Sequence, residues 1–86
     1  MRKLQKFTAT WCGPCKSLSA MIEGIEELPV EIEEVNIDDN IPLCQEKGIS
    51  SVPTSILLDE NGVEIKRHVG AFSTAEQFIS WCNSDA

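Results

Sequence analysis

The sequence predicts an α/β fold, a minimal β-α-β-α-β-β-α chain with a four-stranded mixed sheet flanked by helices. Three observations lead there. Short strand-like apolar runs alternate with stretches in which apolar residues recur every three or four positions. A single Asn-Gly pair, Asn61-Gly62, lies between two strand-like runs, where its tolerance of positive φ makes a tight hairpin. The 86 residues leave room for one core, so the whole chain, 1–86, is expected to be one domain. A domain of this size buries only about 60% of the surface its unfolded chain exposes, so its stability margin is thin.

The elements follow in order. Leu4 to Ala9 is a short strand ending at Thr10-Trp11. After Cys12-Gly13-Pro14-Cys15 a helical period sets in, with Leu18, Met21, Ile22, Ile25 and Leu28 on one face. Pro14 stands near the first turn, where a missing N–H costs nothing, and Pro29 is expected to close the helix. Glu31 to Ile37 is a second strand carrying Ile32, Val35 and Ile37. Asp38-Asp39-Asn40 is expected to cap a short helix from Ile41 to Lys47, stopped by Gly48. Thr54 to Leu58 is nearly all apolar, as a buried strand is. Val63 to Val69 returns from the hairpin, Gly70 ends it, and Ser73 or Thr74 caps a last helix holding Phe78, Ile79 and Cys82. Strands separated by helices are expected to be parallel and the hairpin antiparallel, which makes the sheet mixed.

Composition narrows the function. A net charge of −7 with only seven Lys and Arg provides no basic face for phosphates, so no nucleic-acid partner is expected. No segment reaches the roughly 18 apolar residues of a membrane span. Met1, Arg2 and Lys3 open the chain with positive charge, but no apolar stretch and cleavage site follow. A cytoplasmic monomer without a membrane partner is therefore expected. There, a close pair of cysteines is catalytic or metal-binding rather than structural.

Cys12 and Cys15 are that pair. Residues three apart share a helix face, which brings two Cα atoms near the 4.4–6.8 Å or so that a disulfide spans. Such a bond closes and reopens with little backbone movement. Cys12 stands where the free N–H groups and the dipole of a helix N-terminus favour thiolate over thiol, so it is the expected nucleophile. Cys15, less exposed, is the expected resolving thiol. C-x-x-C is also half of a zinc site, but the remaining candidates, Cys44, Cys82 and His68, are not paired at metal spacing. Cys44 and Cys82 are expected to pack as small apolar residues, with a regulatory or dimerising thiol as the alternative. Trp81 is expected to pack on the last helix, His68 to be exposed without a role, and Asp38-Asp39 to cap a helix rather than bind metal.

Trp11-Cys12-Gly13-Pro14-Cys15-Lys16 resembles the active-site loop of the thioredoxin family, and Val52-Pro53-Thr54 is similar to that family's cis-proline segment. Asn61-Gly62 and Val69-Gly70 fall where the family's hairpin turn and groove glycine lie. The resemblance spans nearly the whole chain, from Leu4 to the final helix. It implies a thioredoxin-like fold with a groove for extended substrate segments, surfaced by Trp11, Val52 and Gly70, with the Val52 backbone pairing with substrate. It also implies a cis Pro53, placed where it denies metals access to the cysteines.

The sequence departs from the family in three places, the third with little expected effect on the chemistry. The family usually begins with an extra strand and helix for which this sequence has no residues, giving glutaredoxin-like size. An uncovered sheet face is expected to account for polar Gln5 and Lys6 in a central strand. The family's buried acid, six positions before the first cysteine, is Lys6 here, and its lysine partner corresponds to Glu34. Lys6 and Glu34 are thus a candidate charge-reversed pair for proton transfer beneath the cysteines, with two surface side chains as the alternative. The family's helix-kinking proline is Ala20, so a straighter helix is expected.

The resemblance implies a protein-disulfide reductase with no bound cofactor, its electrons arriving from NADPH through a thioredoxin reductase. Substrates would be disulfide-containing proteins such as ribonucleotide reductase. Gly13-Pro14 favours this activity. A glutathione-coupled, glutaredoxin-like reductase is the second possibility, favoured by size but not by the Gly-Pro pair or by a Gly-Gly-x-Asp segment, which is lacking after Val69. A non-catalytic binding subunit of a larger enzyme is the third.

Overall fold

The computed structural model describes residues 1–85. Its elements are β1 (Lys3–Thr8), α1 (Gly13–Glu23), β2 (Glu31–Asn36), a one-turn 3-10 helix (Ile37–Asp39), α2 (Ile41–Lys47), β3 (Thr54–Leu58), β4 (Glu64–Val69) and α3 (Ala75–Asn83). The sheet order is β2-β1-β3-β4, so the two most buried strands take the centre and the more exposed, more charged ones, Glu31–Asn36 and Glu64–Val69, the edges. Charged edge strands discourage pairing with other chains. The sheet is mixed: β1 and β2 are parallel, while β3 runs antiparallel to both β1 and β4.

That direction corrects the expectation that helix-separated strands are parallel. Leaving β2 at Asn36, level with Thr8, the chain re-enters at Thr54, level with Phe7, at the same end of the sheet. The seven-residue α2 spans only about 10 Å, too little to carry the chain back along the strands. A crossover is parallel only when its connection travels the strand length.

Alternation along β1 splits the core. Leu4 faces Leu18 and Ile22 of α1 and Phe78 and Cys82 of α3, with Leu57 beside it. Phe7 faces the other way, toward Cys44 of α2, with Val35, Ile56 and Leu58. The central polar residues are not on an exposed surface: Gln5 is 8% and Lys6 is 3% exposed. They also sit on opposite faces, so one uncovered face does not account for both.

Helix boundaries depend on capping. α1 stops at Glu23, with the Gly24 N–H bonded back to Ala20 and Met21, rather than running to Pro29. Gly24 is a poor helix residue, and Glu23, Glu26 and Glu27 would crowd the negative end of the dipole. Ile25 and Leu28 still pack on the core from the non-helical segment. The 3-10 turn is capped by the Asn36 side chain, which accepts the Asp38 N–H, whereas Asn40 makes no side-chain cap for α2. Gly48 ends α2 at φ 69°, in the left-handed region, and Thr74 caps α3 by accepting the Gln77 N–H. At the hairpin, the Asp59 carboxylate accepts the N–H groups of Asn61 and Val63.

Candidate active site

The loop from β1 to α1 delivers Cys12 and Cys15 to one end of the sheet. Cys12 is the N-cap of α1, in extended conformation, and Pro14 occupies the first turn. The two sulfurs are bonded, with Cα atoms 5.3 Å apart. The Cys15 N–H points at Cys12 Sγ, 3.1 Å away, so a helix N-terminal donor is already aimed at the sulfur that would carry charge. Cys12 is 5% exposed and Cys15 1%, which leaves Cys12 the more accessible of two buried sulfurs. Ala9, Ile37 and Val52 pack around them. Gly13, Pro14 and Lys16 are exposed on the helix's outer face.

The Val52–Pro53 peptide is cis, and the Val52 carbonyl oxygen lies 3.8 Å from Cys12 Sγ. Gly70, at φ 101°, donates its N–H to the Pro53 carbonyl at 2.8 Å, tying the end of β4 to the same loop. This conformation suits glycine. Trp11, next to Cys12 in the chain, is 67% exposed, so a large apolar side chain faces solvent beside the disulfide. Val52 thus lies against Cys12, Gly70 is bonded to Pro53, and Trp11 adjoins Cys12 in the chain.

The groove extends further than the motifs. A depression of about 570 Å³ runs from Trp11 and Val52 past Asp38 to Ile41 and Ile49. The Trp11 indole N–H donates to the Asp38 carboxylate at 3.2 Å. Asp38, expected only as a helix cap, thus orients the exposed tryptophan. Nothing in the local sequence distinguishes this Asp from a capping one; the contact joins residues 27 apart.

Lys6 and Glu34 are register partners on adjacent strands, but they do not pair. The Lys6 ammonium donates to Ser19 Oγ of α1, and Glu34 is exposed. Among the described residues no ion pair joins them, so the charge-reversed pair beneath the cysteines is replaced by a lysine–serine contact. The cause is the packing of α1, which covers Lys6 and leaves the edge strand open to water.

The other cysteines are free thiols in separate places, Cys44 in the α2 cluster and Cys82 in the α3 cluster. Burial pushes the Cys82 thiol up to about 11, against the lowering effect of Lys66 and Arg2. His68 is half-buried rather than exposed, stacked on Phe72 at 4.1 Å with Trp81 edge-on. Among the described residues no group of three or more His, Cys, Asp or Glu side chains is placed to hold a metal ion. Nor is any helix among them long and apolar enough to cross a membrane.

The arrangement can make and break one disulfide at a helix N-terminus, beside an apolar groove. The family model described as Thioredoxin matches residues 2–84. The thioredoxin of Rickettsia felis is 39% identical over 83 residues, covering 93% of this chain and 77% of that protein. The thioredoxin of Chlamydia caviae is 46% identical over 66 residues, covering 74% of this chain and 64% of the relative, just under two thirds of its length. Among solved structures, a mutant thioredoxin from Halobacterium salinarum superposes with a TM-score of 0.85 at 27% identity, covering 94% of this chain and 71% of that one. The Malassezia sympodialis thioredoxin gives 0.77 at 33% identity, covering 96% and 76%.

Proposed function

Since the chain belongs to the thioredoxin family, we propose that it is a thiol–disulfide oxidoreductase that reduces protein disulfides through Cys12 and Cys15. The observation that carries this is the Cys12–Cys15 bond at the N-terminus of α1, with the Cys15 N–H directed at Cys12 Sγ.

In the dithiol form, the Cys12 thiolate attacks one sulfur of a substrate disulfide. A Cys12–substrate bond forms and the substrate's other sulfur leaves with the electron pair. Cys15 gives its proton to a departing substrate thiolate and attacks Cys12 Sγ, which breaks the mixed disulfide. The substrate gains two electrons and two protons, one from Cys15 and one from solvent, which took it when Cys12 ionised, and Cys12–Cys15 is oxidised. Trp11, Val52 and Gly70 surface the groove, and the Val52 backbone pairs with an extended substrate segment. Gly13, Pro14 and Lys16 shape the loop presenting Cys12. No bound cofactor is needed, because both electrons reside on the sulfurs.

A thioredoxin reductase, itself drawing on NADPH, restores the dithiol in a reducing compartment such as the cytoplasm. Protein substrates such as ribonucleotide reductase then receive the electrons. The test is NADPH oxidation with a thioredoxin reductase and micromolar protein, with glutathione run in parallel. Rapid oxidation that needs this protein supports the proposal. Reduction by glutathione alone moves the protein to glutathione-coupled chemistry, and reduction by neither leaves a binding role for the fold.

A further inference from the structure

Lys6 presents the most unusual charge in the molecule. It lies in the middle of the central strand β1, 3% exposed, between Leu4 and Thr8 on the face covered by α1. Its ammonium donates to Ser19 Oγ, and among the described residues it makes no ion pair. Across the antiparallel register stands Ser55, on the same face, 0% exposed, with a hydroxyl that has no hydrogen-bond partner. A polar site has been built inside an apolar layer, and the oxygen that its ammonium binds belongs to a neutral hydroxyl. The nearest carboxylates by topology, Glu34 of β2 and Glu23 of α1, line an open cleft of about 650 Å³ with Lys16 and Ser19, where water screens them. An uncompensated buried cation is costly to keep unless negative charge arrives beside it.

Such charge does arrive. Cys15 and Ser19 are four residues apart on α1 and share a face, with Cβ atoms roughly 5–6 Å apart. The ammonium bound to Ser19 therefore lies one helical turn from the Cys15 sulfur. When an incoming thiolate attacks Cys12 Sγ of the oxidised protein, the new bond forms there and the Cys12–Cys15 bond breaks. Cys15 Sγ keeps the electron pair and becomes a thiolate.

We infer that Lys6 is a positioning residue for this redox couple, its buried ammonium stabilising the Cys15 thiolate released when the disulfide opens. Stabilising the leaving group speeds opening and favours the reduced form, so Lys6 makes the couple less reducing than the same fold without the charge. The inference rests on the proposed dithiol chemistry of Cys12 and Cys15.

The test equilibrates the full chain in glutathione redox buffers and counts reduced protein by rapid alkylation. Lys6→Met and Lys6→Gln both remove the charge, and only the glutamine keeps a donor for Ser19. Both are expected to hold about tenfold less reduced protein at a given buffer ratio, a midpoint about 30 mV more negative. Opening of the oxidised variants by dithiothreitol should slow several-fold, and Lys6→Arg should keep the wild-type midpoint. Unchanged midpoints in both uncharged variants overturn the inference. So does a shift in the methionine variant alone, which would make the hydrogen bond the cause, or an equal shift in Lys6→Arg. If the methionine variant does not fold, the glutamine and arginine variants decide between charge and no charge. A wild-type protein that exchanges with neither glutathione nor dithiothreitol overturns instead the dithiol reading beneath it.

Discussion

Two pairs of cysteines in one small fold have opposite surroundings. Cys12 and Cys15 meet at a helix N-terminus, with a backbone N–H directed at one sulfur and a groove beside it. Cys44 lies mid-helix in α2 and Cys82 in the last turn of α3, each facing an apolar cluster, and they belong to separate clusters. The side chain is the same; the position along the helix differs. At the N-terminus unpaired donors favour the anion, whereas in the core desolvation keeps Cys82 a neutral thiol. Cysteine reactivity in this chain is set by backbone dipoles and water, not by spacing alone.

The largest effects should come from breaking the first pair. Replacing Cys12 with Ser is expected to reduce protein-disulfide turnover to the background rate. Cys15→Ser should instead trap substrate as a stable mixed disulfide on Cys12, visible as an added mass that reductant removes. If Cys15→Ser turns over normally, the assignment of resolving thiol is wrong.

The second pair should respond in stability and not in activity. Cys82→Ala is expected to cost about 1–2 kcal/mol in urea unfolding, the usual scale of a small core truncation, with turnover unchanged. Its pH dependence carries the sharper signature. The Cys82 folded value, about 11, lies above its ordinary 9.0. Below pH 9 both states hold the proton, so the stability is fully present. As pH rises from 9.0 toward 11, the unfolded chain loses the proton first, and stability should fall by up to about 3 kcal/mol. Cys82→Ala should flatten that decline; an equal slope in the variant would assign it to other groups.

Smaller effects are expected around the first pair. Asp38→Ala frees the Trp11 indole and should raise KM for a protein substrate two- to fivefold or so, with little change in kcat, since one exposed hydrogen bond is lost. A fall in kcat with KM unchanged would put Asp38 in the chemistry rather than in orienting Trp11. Glu34→Gln should leave exchange kinetics as they are, because Glu34 faces water and does not pair with Lys6. Slowed resolution of the mixed disulfide would restore Glu34 as a proton carrier.

Much of this molecule is legible along the chain. The helix α2 and strand β3 have the bounds that Gly48 and the Ser55–Leu58 run suggest, because a left-handed stop and a buried apolar run are local signals. The C-x-x-C pair is equally local, since one helical turn carries both sulfurs. The end of α1 was less legible: apolar periodicity continues through Ile25 and Leu28, which pack on the core whether or not the backbone is helical. The direction of β3 depends on which end of the sheet the chain re-enters, and periodicity holds no information about that.

Residue order alone therefore decides the alternation of elements, the hairpin and the dithiol, all of which rest on contacts within a few positions. Three things depend on the folded chain: the convergence of Val52, Gly70 and Asp38 on Cys12 and Trp11, the antiparallel course of β3, and the burial of Lys6 against Ser19. Each joins residues 13 or more apart, and whether such residues meet, and whether water reaches them, is set by how helices cover the sheet.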